Sequence, residues 1–211
     1  MYIPQQFEET RKEVLVQLMQ EYPLGTLITL GSDGLNANHI PFEIDPEPAP
    51  FGILRAHVAR SNPLWRDFSS EVDALVVFQG AHCYISPSWY PSKHVDGKVV
   101  PTYNYMVAHA SGPLKVIDDP AWVLGLVERL TTRHERGRAA PWEVSHAPRE
   151  YIEKMLSAIV GIEIPVAKLI GKWKVSQNQP AANREGVVRG LQDVGDGNTV
   201  AMAAAVEKWI R

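Results

Sequence analysis

Stretches of β-forming residues crowd the first half of this chain too closely to leave room for helices between them. Thr26-Leu27-Ile28-Thr29-Leu30 and the strand expected over residues 36–44 are separated only by Gly31-Ser32-Asp33-Gly34, a hairpin turn. A third strand is expected over residues 52–59, with Ile53, Arg55 and His57 on one face and Leu54, Ala56 and Val58 on the other. Parallel neighbours need a crossover of about a dozen residues or more, so a doubly wound sheet is disfavoured and antiparallel pairing is expected.

The pattern continues with Ala74-Leu75-Val76-Val77-Phe78, a run without polar alternation that reads as a strand buried on both faces. Gly80 is expected to break it, and Cys83-Tyr84-Ile85-Ser86 to form the next strand. Residues 103–116 read as a strand pair, or as one strand bent at Gly112-Pro113. Helices are expected in four places. The first carries Phe7, Val14, Leu15, Leu18 and Met19 and stops before Pro23. The second starts at Asp118-Asp119-Pro120 and carries Trp122, Leu126 and Leu130, and another spans residues 149–160 with Tyr151, Met155, Leu156 and Ile159 on its apolar side. Residues 161–176 return to β, and an Ala-rich helix is expected over 199–210. Residues 47–50, 86–101 and 177–184 read as loops. The expected fold is mainly β with peripheral helices, one domain over residues 1–211 ending in helical segments.

Composition narrows the function. Of 211 residues, 45% are hydrophobic and 21% charged, which is the balance of a globular chain. The formal net charge of -3 does not support nucleic acid, because duplex binding needs a basic field. Cys83 is the single cysteine, so neither an intrachain disulfide nor a Cys-rich zinc site is expected, and the histidines lack metal-pair spacing. No run approaches the length of a membrane span, and no basic segment followed by an apolar run opens the chain. A cytoplasmic protein without a metal is expected.

Several polar clusters could carry chemistry. Asn38 and His39, followed by Ile40, place an amide and an imidazole in an otherwise apolar strand; internal hydrogen bonding is the plain alternative. Arg60-Ser61-Asn62 sits at a strand end, where a guanidinium, a hydroxyl and backbone donors suit a phosphate, although spacing alone favours a surface turn with an Arg ion pair. Tyr103-Asn104-Tyr105 opens a strand with flat aromatic area that suits a ring or simply a core. Lys172 and Lys174 share one strand face with Ser176 in line, followed by Gln177-Asn178, a set that suits an anion or a solvated edge. The basic run 129–138 ends a helix, where cations favour the macrodipole.

Together, in this order, these clusters resemble the PaiB-like FMN-binding negative transcriptional regulators, relatives of the pyridoxamine-phosphate-oxidase-like split barrels. The residues that carry the resemblance are Met1-Tyr2-Ile3-Pro4, Asn38-His39-Ile40-Pro41-Phe42, His57-Val58-Ala59-Arg60-Ser61-Asn62-Pro63, Tyr84-Ile85-Ser86-Pro87-Ser88-Trp89-Tyr90, Pro101-Thr102-Tyr103-Asn104-Tyr105 and Gly171-Lys172-Trp173-Lys174 through Ser176-Gln177-Asn178. Tyr103 departs from the Trp more usual there. The resemblance implies an FMN-binding split β-barrel and a homodimer with flavin at the subunit interface. It also implies cofactor contacts from Asn38, His39, Ile40, Arg60, Ser61, Asn62, Tyr103, Asn104, Lys172, Lys174, Gln177 and Asn178. The function it implies is a flavin-binding regulator. A flavin-dependent oxidoreductase and a direct DNA-binding repressor stand as alternatives, and no residue presents itself as a catalytic base.

Overall fold

The computed structural model describes residues 1–48 and 50–210; Ala49, within the expected proline-rich loop, lies outside the described residues. The strands are β1 (Glu8–Glu9), β2 (Leu24–Gly31), β3 (Gly34–Pro41), β4 (Glu43–Asp45), β5 (Ile53–Ala59), β6 (Ala74–Ile85), β7 (Thr102–Gly112), β8 (Lys115–Ile117), β9 (Ile159–Pro165) and β10 (Lys168–Lys174). The helices are α1 (Lys12–Glu21), α2 (Pro120–Glu135), α3 (Arg149–Ser157), α4 (Ala181–Val194) and α5 (Gly197–Glu207). The mainly β class with helices around it is as expected. Contacts divide the chain into two units, one of residues 1–22, 79–108 and 170–211, the other of residues 23–78 and 109–169.

In the first unit the sheet order is β1, β10, β7, β6, with α1, α4 and α5 alongside. Helix α1 buries Leu15, Val16, Leu18 and Met19. Two glycines let it approach the sheet: a Cβ on Gly80 would lie 2.6 Å from Leu18, and one on Gly171 would lie 2.2 Å from Leu15. Gly80 therefore does not end a strand, as the sequence reading expected. It is a packing contact inside one continuous strand, β6. Phe7 lies outside α1, in a 3-10 turn that precedes β1.

The second unit holds β6, β2 and β3 in that order, and a four-stranded sheet of order β4, β5, β9, β8. The β2–β3 hairpin pairs from Leu24↔Pro41 to Gly31↔Gly34, so the expected turn is present. The single strand expected over 36–44 is two, β3 and β4, which belong to different sheets. Pro41 has no N–H to continue the ladder, and buried Phe42 instead donates its backbone N–H to Pro23 O at 2.9 Å and stacks edge-on against Phe78 at 5.7 Å. Burial alternates along β6 from Ala74 to Phe78, with Leu75 and Val77 half-covered, so the two-sided burial expected there is not seen. Asp119 caps α2 by accepting from Ala121 N at 2.8 Å. The apolar side expected for α3 is poorly covered; that helix has no buried residue.

Candidate functional site

The expected site residues fall into both units, and each group is coherent by itself. Tyr103, Asn104, Lys172, Lys174, Gln177 and Asn178 belong to the first unit; Asn38, His39, Ile40, Arg60, Ser61 and Asn62 belong to the second.

In the first unit β7 and β10 lie side by side, which brings the 102–105 and 172–178 segments together. Lys174 Nζ donates to the Thr102 hydroxyl. Lys172, only 8% exposed, donates to the Tyr2 carbonyl at 3.1 Å and sits 5.3 Å above the Tyr105 ring. Such a cation–π contact partly replaces the water that burial removes from the ammonium. Just past β10 the chain turns sharply: Ser176 has φ 63°, the one non-glycine residue in the left-handed region among the described residues. Beyond that turn the Ser176 hydroxyl meets Asn104, whose Nδ2 donates to Ser176 Oγ at 2.9 Å. Asn104 is 1% exposed, and its Oδ1 has no partner. A buried acceptor left unmet costs about 1–3 kcal/mol, and left-handed backbone at a serine costs roughly 1–3 kcal/mol more. Gln177 is closed on its own backbone, accepting from Val175 N at 2.8 Å and donating to Trp173 O. Tyr103 and Asn178 are exposed.

In the second unit the structure joins Asn38 and Asn62. Asn62 Nδ2 donates to Asn38 Oδ1 at 2.9 Å, and Asn38 Nδ2 donates to Asn36 Oδ1 at 2.9 Å. Asn62 Oδ1 accepts from Leu64 N at 2.9 Å and caps a 3-10 turn, so both ends of the Asn62 amide are engaged. Arg60 is not a free phosphate donor. Its Nη1 and Nη2 clamp Asp118 at 2.9 and 2.6 Å, while Nε and Nη2 reach Ser157 O and Ile159 O at 2.9 and 3.2 Å. The guanidinium beside Asp118 holds that carboxyl below the usual range. Ser61 and His39 are exposed; Ile40 turns its side chain into the core at 5% exposure, leaving only its backbone toward any ligand.

The sequence reading missed Asp118, which claims Arg60, and Thr102, which holds Lys174. Thr102 had a usable signal: it alternates with Tyr103 and so shares a strand face with Asn104. Asp118 gave none, because its partner is 58 positions away. Burial pushes the Cys83 thiol up to about 11, with the Asp196 charge adding to it, so at neutral pH it is not a reactive thiolate. Among the described residues no group of three His, Cys, Asp or Glu side chains could hold a metal ion, and no helix is long and apolar enough to cross a membrane.

Comparison with known proteins decides the family. The family described as Putative FMN-binding domain matches residues 1–168. The chain belongs to this family. Within reach of this FMN-binding-domain chain, the Bacillus subtilis protein named Protease synthase and sporulation protein PAI 2 is 32% identical over 100% of this chain and 99% of its own. An uncharacterised protein of Emericella nidulans, AN0679, is 33% identical over 92% of both chains. Among solved structures, the FAD and heme binding protein of Mycobacterium smegmatis shares the fold, with TM-score 0.55 at 19% identity over 79% of this chain and 73% of that one. The cofactor of this PaiB-like family is FMN, as the resemblance implied.

The first-unit cluster fits such a group chemically. A phosphate needs a cation and hydroxyls, which Lys174 and Thr102 offer together. The imide edge of a flavin ring carries one N–H, and Asn104 Oδ1 is an acceptor without a donor.

Proposed function

We propose that this FMN-binding protein is a cytoplasmic regulator of the PaiB type, built as a split barrel and working as a homodimer. The observation that carries the reading is the Thr102–Lys174 and Asn104–Ser176 pair of contacts, which gather a cation, two hydroxyls and an unmet buried amide oxygen on adjacent strands. FMN, when bound, supplies one- and two-electron redox chemistry. The chain's own part is to hold it: Lys174 and Thr102 take the phosphate, Asn104 is positioned by Ser176, and exposed Tyr103 offers a flat surface to the ring.

The dimer is supported by the edge of the second unit's sheet. Strand β3 ends the order there, and Leu24, Leu30 and Leu35 of the hairpin are 61%, 40% and 80% exposed. An open edge with exposed leucines is a pairing hazard unless another copy covers it. The regulatory role is supported by the name of the Bacillus relative.

The test is a titration of the apoprotein with FMN, followed by flavin fluorescence, on material whose mass in solution is measured by light scattering. The reading expects saturation at one FMN per chain on a dimer, with riboflavin bound at least about tenfold more weakly for want of the phosphate. In the source cell, a variant that no longer binds FMN is expected to change transcript levels of its targets. A folded dimer that does not bind FMN ends the reading.

A further inference from the structure

Helix α5 is apolar almost all the way round, which is the pattern of a helix covered on more than one side. One side is covered: Met202, Ala203 and Val206 are buried. Ala201, Ala204 and Ala205 face instead a cleft of about 730 Å³ within the first unit. The opposite wall is α1, through Val14, Gln17, Leu18 and Glu21, and Met106 and the indole of Trp173 also line the cleft. Trp209, 44% exposed, stands just beyond α5 at the same cleft. This volume lies in the ordinary range of small-molecule sites, about 300–1,000 Å³.

The charges around the cleft do not cancel. Glu8, Glu9 and Glu21 face Arg11 and Lys208. Arg11 is closed on Glu9 at 2.6 Å, and that pair needs nothing further. Glu21 accepts an amide hydrogen bond from Gln17 at 2.6 Å, and among the described residues neither Glu21 nor Glu8 has an ion pair. Among the described residues, two carboxylates, Glu8 and Glu21, thus line the cleft with one ammonium, Lys208, beside Trp173, Trp209 and the alanines of α5.

We infer that this cleft binds a small organic monocation with a flat apolar body, at a site separate from the flavin. The flat part lies against Trp173 and the alanines of α5, where the lack of bulk on the helix leaves room for a ring. The cationic end meets Glu21 or Glu8, both exposed at the cleft, and a neutral or anionic molecule forms no such ion pair. The inference does not rest on the flavin reading, because none of the residues that hold the flavin in that reading lines the cleft.

The experiment is isothermal titration of the full chain, as purified, with three probes of one shape: 2-phenylethylammonium, 2-phenylethanol and 3-phenylpropionate. The expected result is one ammonium bound per chain, the alcohol about tenfold weaker, and no heat from the carboxylate. Ala204→Trp fills the cleft from an exposed position and is expected to abolish binding while leaving flavin content and melting temperature unchanged. Glu21→Gln is expected to bring the ammonium to within about twofold of the alcohol. The inference is overturned by absence of ammonium binding at millimolar concentration, by equal binding of the three probes, or by binding that survives the tryptophan.

Discussion

Two glycines in two helices are expected to respond to the same substitution with opposite signs. Gly186 lies in α4 and Gly125 in α2, and by intrinsic propensity alone Gly→Ala should stabilise either helix by about 1 kcal/mol. At Gly186 the new Cβ would stand 1.9 Å from the backbone oxygen of Trp89. Relief needs a shift of about 1.5 Å, and a backbone oxygen cannot rotate away as a side-chain end can. The loop around Trp89 is also tied down: its indole carbons lie 2.3–2.5 Å from the Cβ position of Gly190. Nearby, Ser92 Oγ accepts from Asn183 Nδ2 at 3.0 Å, and Ser92 N donates to Asn183 Oδ1 at 3.3 Å. Overpacking of this kind costs about 1–3 kcal/mol, and straining those two hydrogen bonds adds about 1 kcal/mol. Gly186→Ala is therefore expected to lose about 2 kcal/mol net of its helical gain. At Gly125 the nearest atom is the Nη1 tip of Arg129 at 3.3 Å, a side-chain end paired with Glu43 that need yield only slightly and can do so with that pair kept, so about 1 kcal/mol of gain survives. Urea denaturation followed by circular dichroism separates the two, a difference of about 3 kcal/mol between variants. Equal midpoints for the two variants would refute the packing argument.

Burial holds the His57 imidazole below its ordinary value of 6.5, and its Nδ1 has no partner. A folded-state value below the unfolded one means the unfolded chain takes up the proton first, so this contribution is intact above about pH 6.5 and fades as pH falls below it. His57→Leu is expected to flatten the stability profile between roughly pH 5 and 6.5 without loss at pH 8, as read from urea midpoints across pH; an unchanged slope would contradict this. At position 176, Ser→Ala keeps the left-handed strain and strips Asn104 of its hydrogen-bond partner, at a cost of about 1–3 kcal/mol. Ser176→Gly loses the same hydroxyl but relieves the backbone, so it is expected to fall between the wild type and the alanine variant in thermal melts; the reverse order would remove strain from the account.

Much of the sheet was legible because strand alternation is local. The β2–β3 hairpin follows from Gly31-Ser32-Asp33-Gly34, and the two faces of β5 from alternation over residues 53–58, as its burial shows. The start of α2 follows from Asp119 and Pro120 in the same way. Helix α4 was not legible: its start falls in the expected loop 177–184 and no element was expected over 185–198, where Gly186 and Gly190 break helical patterning because Trp89 occupies the space of their side chains. The division of residues 36–44 between two sheets is likewise set by where Phe42 packs, which alternation cannot report. At the site, motif order put Asn38, Asn62 and Asn104 into one candidate set, whereas the hydrogen bonds of Asn38 with Asn62 and of Asn104 with Ser176, like the ties of Arg60 to Asp118 and of Gln177 to its own strand, depend on side-chain direction.

The claim that the β7–β10 cluster holds the cofactor's phosphate is tested most directly by the ratio of FMN to riboflavin affinity in the wild type and in Lys174→Met. A charge-assisted bond to phosphate is worth about 1.5–3 kcal/mol, so FMN affinity is expected to drop about 10- to 150-fold while riboflavin affinity stays as it was. FMN bound equally well by both proteins would place the phosphate elsewhere and contradict the account.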